Sequence, residues 1–258
     1  MTPATALVVA LAEERRILQP CLRAARRDRL GGHPIVYGRL AERDVILVQA
    51  GIGFVSARDA VLRVSRRFEL MGAWSLGFAG GLTELLGPGD LVCPTAILPE
   101  APGAREAPMD AGAPVAAALR TAGLRAHTGT LITVRAPLRT PEAKRAAHRK
   151  TGAVVVDMEA AGVLAATRDL GIPVFALKAI LDPVGDALPE FLAGCTTPSG
   201  DLRWRGLLAA ILGPRGHRRS LAGLRRGARE ARQSLRQGLT VAFPAWVALT
   251  APGLSSTM

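Results

Sequence analysis

Two carboxylates each follow a short apolar run in the second half of the chain. Glu159 comes just after the run 154–156, and Asp182 comes just after Ala179-Ile180-Leu181. Such runs predict buried strands, and open α/β sheets bind ligands beside the carboxyl ends of their strands. There, one carboxylate could bind a sugar diol while the other protonates a leaving group. The sequence therefore indicates an enzyme first.

Each carboxylate also has a purely structural interpretation. Glu159 begins a predicted helix, where the macrodipole favours a negative charge and would keep it ionised, with or without a ligand. Asp182 precedes Pro183, which forces the chain out of regular structure. It could be a half-buried general acid with a raised pKa, or an ordinary residue that starts a turn. Spacing alone leaves both alternatives open.

Two further segments could contribute to the same site. The turn Gly77-Phe78-Ala79-Gly80-Gly81 would let backbone N–H groups approach a ligand, or would simply be a tight turn. Glu13 and Glu14 follow the first apolar run, either at the rim of the sheet or as solvated acids of a helix start. The four histidines and three cysteines are scattered, so we expect no metal site and no bound cofactor.

Predicted strands alternate with predicted helices along most of the chain. This order is typical of an α/β fold with a mostly parallel, mixed sheet flanked by helices. We expect a catalytic domain over 1–195 and a basic helical extension over 196–258. The predicted strands are 4–11, 35–40, 44–50, 74–78, 91–98, 128–134, 154–157 and 174–180; the predicted helices run from Glu13 to about Gly31, then over 54–69, 114–122, 141–150 and 158–169, and 99–113 is predicted as a loop.

The charge of the chain is concentrated near its C-terminal end. Among 258 residues the formal net charge is +12, and residues 203–236 hold ten arginines against one acid, Glu230. A basic amphipathic helix there could lie on an anionic membrane surface, or could dock its apolar stripe on its own domain. Nucleic acid is not expected as a partner, because Trp204 is the only aromatic residue in the segment. The first apolar run is too short for a signal peptide, so a cytoplasmic location is expected.

Several of these segments together resemble one family. The order and spacing are similar to those of the nucleoside phosphorylase and methylthioadenosine nucleosidase superfamily, over about residues 4–195. The motifs that carry the resemblance are Leu11-Ala12-Glu13-Glu14, Gly51-Ile52-Gly53, Gly77-Phe78-Ala79-Gly80-Gly81-Leu82, Pro88-Gly89-Asp90-Leu91-Val92, Val156-Asp157-Met158-Glu159 and Ala179-Ile180-Leu181-Asp182.

The resemblance implies roles for the residues of these motifs. Asp182 matches the acid that protonates N7 of the purine, and Glu159 matches the carboxylate that holds the ribose hydroxyls. Glu14 matches the carboxylate that activates water in the nucleosidase branch. Met158 would pack against the sugar. The loop beneath the ribose and base would be formed by Gly77, Phe78 and Ala79.

The nucleophile is left open by two departures from the family pattern. Where hexameric phosphorylases carry an arginine and a serine around the motif glycine, this chain has Ser75 and Phe78. Both differences weaken the case for a conventional phosphate pocket, although Arg135 or Arg139 could supply a substitute cation. Phosphate is therefore retained as a possible co-substrate, and Glu14 favours water.

A closer resemblance is to hopanoid-associated phosphorylases, carried by the segment 182–189 and the arginine-rich extension. It implies cleavage of adenosylhopane with release of adenine, by a homo-oligomer in the cytoplasm with peripheral contact to the inner membrane surface through 203–236. One alternative is a soluble methylthioadenosine or adenosylhomocysteine nucleosidase, or another purine nucleoside phosphorylase. A second alternative is a basic binding module on a catalytically inactive fold.

Overall fold

The computed structural model describes residues 3–101, 103–187 and 222–250. Within them ten strands form one mixed sheet, flanked by helices, in the order β10-β6-β8-β9-β5-β1-β4-β3-β2, with β7 paired to β6. This confirms the predicted α/β class. The strands are β1 Ala4–Val9, β2 Arg23–Leu30, β3 His33–Leu40, β4 Arg43–Gln49, β5 Leu70–Gly81, β6 Leu91–Pro99, β7 Ala107–Pro108, β8 Ala126–Thr133, β9 Val155–Asp157 and β10 Val174–Asp182.

The described helices lie between these strands and at the end of the chain. A 3-10 turn over Gln19–Cys21 follows the first of them. The helices are α1 Ala12–Leu18, α2 Phe54–Ser65, α3 Gly112–Thr121, α4 Pro141–Thr151, α5 Ala160–Leu170 and α6 Ala222–Thr250.

Strand β5 is the centre of the sheet. It pairs in parallel with β1 and β10, and its last residues, Gly80 and Gly81, pair with β9 in the antiparallel sense. Because β10, β6, β8 and β9 also pair in succession, these four strands and β5 close into a ring. All six residues of β1 are buried, as expected for a parallel strand covered on both faces.

The helix predicted from Glu13 to about Gly31 is wrong in its second half. Helix α1 ends at Leu18, and Pro20 lies in the 3-10 turn that follows it, where a ring without an N–H cannot continue the helix. The chain then forms β2, whose only partner within the described part of the sheet is β3. Every residue of β2 before Leu30 is exposed, so it has no apolar pattern that could predict a strand.

Helix α6 is the described part of the C-terminal extension, and it packs against the sheet. Its apolar stripe joins the main core cluster beside strands β5, β6 and β10. Two glycines permit the close approach, since a Cβ on Gly227 would lie 3.2 Å from the Leu181 carbonyl oxygen, and one on Gly238 would lie 2.7 Å from Leu91. The stripe consists of Ala228, Ala231, Leu235, Leu239, Ala242, Phe243 and Trp246, each at most 2% exposed.

This packing bears on the prediction of membrane contact through 203–236. Of that range, 203–221 lies outside the described residues, and the apolar stripe of α6 that falls within 222–236 is buried against the domain. No helix in the described ranges has both the length and the apolar character that crossing a membrane requires. The division at residue 195 and the membrane contact both stay predictions.

Because α6 completes the core, truncating its buried side chains should destabilise the whole domain. Leu235 is fully buried, and Leu235→Ala is expected to lower the free energy of unfolding by about 2–5 kcal/mol. The matched control is Gln233→Ala, at an exposed position of the same helix, which should change it by less than about 0.5 kcal/mol. Urea unfolding followed by circular dichroism measures both, and equal small effects would contradict the packing role of α6.

Candidate active site

One pocket collects most of the residues that the sequence singled out. It lies where the parallel strands β1, β5 and β10 end, which is where ligands bind in sheets of this kind. Glu14, Phe78, Ala79, Met158, Glu159 and Asp182 all line it, whereas Gly77 is not among the described lining residues. The remaining lining residues are Ala10, Leu11, Ile52, Gly80, Val134, Pro137, Leu138, Val156, Asp157 and Leu181.

Glu14 is held by two main-chain N–H groups. It lies in the first turn of α1, where Oε2 accepts the N–H of Leu11 at 2.9 Å and so caps the helix. Its Oε1 accepts the N–H of Phe78 at 2.8 Å. Although Glu14 is only 3% exposed, each oxygen keeps a further lone pair for a ligand.

The turn at the end of β5 must contain glycine because of this contact. Gly77 has φ +148°, and a Cβ there would overlap the Glu14 carboxylate. The sequence suggested that N–H groups of this turn would face a ligand, but the N–H of Phe78 is donated to Glu14 instead. The turn therefore contributes the Phe78 ring, the only aromatic side chain among the described lining residues, and the backbone of Ala79 and Gly80.

Glu159 precedes helix α5, but its carboxylate is bound at the start of helix α2. Its Oε1 accepts the N–H of Gly53, the residue that caps α2, at 2.9 Å, and its Oε2 accepts the N–H of Met158 at 3.3 Å. Helix α5 is capped instead by Asp157, whose Oδ2 accepts the N–H of Ala160 at 2.9 Å. Glu159 is therefore free to face the pocket rather than to satisfy α5.

A buried polar network lies beneath the two glutamates. The Lys178 ammonium forms an ion pair with Asp157 Oδ2 at 2.8 Å and donates to the Ser75 hydroxyl at 2.9 Å. The Thr133 hydroxyl donates to Asp157 Oδ1 at 2.7 Å and accepts the N–H of Ala161 at 3.0 Å. Every charged group of the network has a partner, as buried charges require.

Asp182 reaches the pocket through an irregularity in strand pairing. The register of β10 against β5 shifts between Ile180 and Asp182, so that Asp182 lies opposite Gly80. A Cβ on Gly80 would lie 3.3 Å from Asp182 Oδ2, so a glycine there leaves room for the carboxyl group. The side chain is 13% exposed, and its Oδ2 lies 2.8 Å from the Lys144 ammonium.

Three carboxyl groups of the pocket, Glu14, Glu159 and Asp182, have raised pKa values. Burial raises the pKa of Glu14 to about 7, although the N–H groups of Phe78 and Leu11 and the Lys178 charge oppose the rise. Burial, followed by the charge of Asp157, raises the pKa of Glu159 to about 7. Burial also raises the pKa of Asp182 against the effect of Lys144. The sequence predicted that the helix macrodipole would keep Glu159 ionised, but burial outweighs that effect and raises its pKa.

Lys178 keeps its charge despite complete burial. Burial lowers the pKa of its ammonium, but the charges of Asp157, Glu159 and Glu14 outweigh that effect and leave the pKa above its usual value. The described residues that line the pocket include four acids, namely Glu14, Asp157, Glu159 and Asp182, and neither lysine nor arginine. Arg135 and Arg139, the suggested phosphate ligands, are not among them.

Sequence reasoning missed both buried lysines. Lys144 and Lys178 are two of only three lysines among 33 basic residues, and both are at most 1% exposed. The scarcity of lysine in an arginine-rich chain was the available signal. The lysine ammonium is a compact point charge with three rotatable donors, whereas the arginine guanidinium is a rigid planar fork, so the two are not interchangeable.

The raised pKa values predict how stability changes with pH. A carboxyl group whose pKa rises from 4.5 to about 7 on folding stabilises the fold below pH 4.5, and this contribution is lost as pH rises through 7. We therefore expect a lower free energy of unfolding at pH 8 than at pH 5.5, measured by urea unfolding. Glu14→Gln should weaken this dependence, whereas Glu106→Gln, at an exposed position, should not. A flat profile between the two pH values would contradict the burial of these charges.

The chain is similar to proteins described as 5'-methylthioadenosine/S-adenosylhomocysteine nucleosidases. One from Bacillus anthracis is 34% identical over 92 residues, which are 36% of this chain and 40% of the relative. The chain therefore matches less than half of the length of that relative.

Solved structures of such nucleosidases share the fold. The one from Neisseria meningitidis, in complex with methylthio-immucillin-A, has a TM-score of 0.69 at 20% identity, with 92% of this chain and 98% of that chain covered. The one from Colwellia psychrerythraea, in complex with adenine, has a TM-score of 0.63 at 24% identity, with 72% and 84% covered. The model of the Phosphorylase superfamily matches residues 4–194, so the chain belongs to that family.

Proposed function

We propose that this protein hydrolyses the N-glycosidic bond of a 5'-substituted adenosine and releases adenine. The observation that carries the proposal is that Asp182 and Glu14, two carboxyl groups with raised pKa values, line one pocket whose described charged residues are all acidic. Curated relatives with this fold are nucleosidases for methylthioadenosine and adenosylhomocysteine, which supports the same reaction type here.

The proposed reaction begins at the leaving base. Asp182 donates its proton to N7 of the purine while the bond from C1' to N9 breaks, and the bonding electron pair stays with the purine. Burial raises the pKa of Asp182, which favours the protonated form that a general acid needs. Positive charge develops on the sugar as the bond breaks, and the acidic surroundings of the pocket stabilise that charge.

Water then completes the reaction at C1'. Glu14 takes a proton from the water molecule while the water oxygen bonds to C1'. The nucleoside and water thus give adenine and a 5-substituted ribose. Its pKa of about 7 suits a base that must accept this proton. Glu159 would accept hydrogen bonds from the ribose hydroxyls, since the N–H groups of Gly53 and Met158 leave lone pairs unused.

Phosphate fits this pocket less well than water. Ser75 stands where hexameric phosphorylases carry an arginine, and its buried hydroxyl accepts a hydrogen bond from Lys178. That ammonium is already neutralised by Asp157. A phosphate dianion would therefore meet the acidic side chains of Glu14, Glu159 and Asp182 without a cation among the described lining residues.

The 5'-substituent of the substrate is proposed to be apolar. Ile52, Val134, Pro137, Leu138 and Leu181 line the pocket. Methylthioadenosine, a small substrate, agrees best with the curated relatives. Adenosylhopane remains a second candidate, favoured by the exposed Phe54 and Val55, which directly follow Ile52 and Gly53 and could extend an apolar path. Turnover of methylthioadenosine and of adenosylhopane in detergent, compared at equal concentrations, distinguishes the two.

The nucleophile is tested with the full chain, methylthioadenosine and ¹⁸O-labelled water. We expect release of adenine at the same rate with and without phosphate, and one ¹⁸O atom in the sugar product by mass spectrometry. A sugar 1-phosphate formed only when phosphate is present would overturn hydrolysis. Absence of adenine with every adenosine derivative would overturn the proposed function itself.

The assigned acid and base are tested by isosteric substitutions. Asp182→Asn and Glu14→Gln should each slow adenine release about 10²–10⁴-fold, because each variant loses a proton transfer in the transition state. Asp110→Asn, at an exposed position of the same domain, serves as the control and should leave turnover unchanged. Near-normal turnover in either variant, with the circular dichroism spectrum retained, would remove that residue from the mechanism.

A further inference from the structure

Lys144 is a charged residue in an unusual position. Its side chain is 0% exposed, and its ammonium lies within hydrogen-bond distance of four oxygens at the end of β10. One is the Asp182 carboxylate oxygen Oδ2 at 2.8 Å. The others are the carbonyl oxygens of Asp182 at 3.3 Å, Pro183 at 2.8 Å and Asp186 at 3.0 Å.

The rest of helix α4 does not explain this burial. The helix begins after Thr140, whose hydroxyl accepts the N–H of Ala143, and it ends at Gly152 in the left-handed conformation. Lys144 is its only fully buried residue. A surface helix normally buries apolar side chains, and burying an ammonium costs several kcal/mol unless partners compensate. The position is therefore explained by the groups that the ammonium contacts.

Lys144 could be a structural clamp for the segment 182–186, or it could act on the Asp182 carboxyl group. A clamp needs only the contacts with the three carbonyl oxygens. The fourth contact joins the ammonium directly to the carboxyl group proposed as the general acid. That contact matters for the reaction, because it acts on the group whose charge changes when the base leaves.

We infer that Lys144 is the positioning residue of Asp182, fixing its carboxyl group in the pocket and neutralising the carboxylate that remains after proton transfer. The inference rests on the proposed function. In the step concerned, the proton moves from Asp182 to N7 and the bond from C1' to N9 breaks. The Lys144 side chain takes no part in the proton transfer, so it contributes charge and geometry only.

The groups that face Asp182 determine how loss of Lys144 would change the pH dependence of activity. Among the described residues they are Lys144 from α4 and Asp186 from the segment after β10, while β5 presents Gly80 without a side chain. Burial and Asp186 raise the pKa of Asp182, and Lys144 lowers it. Removing the ammonium therefore raises that pKa further, which makes Asp182 a weaker acid and moves the alkaline limit of activity to higher pH.

The test compares two leaving groups in the full chain. Lys144→Met should slow adenine release from methylthioadenosine about 10- to 100-fold, a part of what a general acid contributes. A 4-nitrophenyl 5-methylthio-β-D-riboside should be cleaved almost as fast as by the wild type, because nitrophenolate leaves without a proton. The alkaline limb of the pH profile with methylthioadenosine should move upward. Lys150→Met, at an exposed position of the same helix, is the matched control.

Lys144→Arg covers the case in which the methionine variant fails to fold. It keeps the charge but places a larger, planar group at the carboxylate, so adenine release should fall while cleavage of the nitrophenyl riboside persists. Equal losses on both substrates with an unmoved pH limb would overturn the inference and leave a structural clamp. Unchanged turnover in both variants would overturn it as well. A wild-type chain that releases no adenine would instead overturn the proposed function on which it rests.

Discussion

Three acidic side chains face one pocket above the buried Asp157, and the repulsion among these four groups has to be balanced by groups that lie behind them. Main-chain N–H groups supply part of the balance, two to Glu14 and two to Glu159. The Lys178 ammonium supplies much of the rest, and it is itself held by Asp157. Removing one partner of such a buried pair costs about 3–5 kcal/mol, because the other charge is left without compensation. The pocket can therefore be acidic only because the layer beneath it is fully paired.

This balance leaves two of these carboxyl groups, Glu14 and Glu159, near the midpoint of their titration at neutral pH. Burial raises the pKa of Glu14 and Glu159 to about 7, while the N–H groups and Lys178 prevent a larger rise. A base and an acid that work at neutral pH both need such tuning. The same burial destabilises the folded state when the groups ionise, so the chemistry of the pocket and the stability of the fold are opposed.

Close approach between backbone segments is the second requirement of the site. Gly77 lets the end of β5 lie against the Glu14 carboxylate, and Gly80 leaves room for Asp182. Helix α6 supports the same region from the other side, with Gly227 against the Leu181 carbonyl oxygen. The C-terminal helix thus packs against the strand that carries the acid, which ties its stability to that of the site.

The sequence by itself determined the fold class, the strand ends that carry Glu159 and Asp182, and the place of Glu14 after the first strand. These features follow from local patterns, because buried strands and helix starts are encoded by neighbouring residues. Only the tertiary structure decided that the Phe78 N–H binds Glu14, that β2 is a strand, and that Lys178 and Lys144 lie behind the carboxylates. These contacts join residues far apart in the chain: hydrogen bonds to β3 make β2 a strand, and the partners of a buried charge are set by the packing of helices and strands around it.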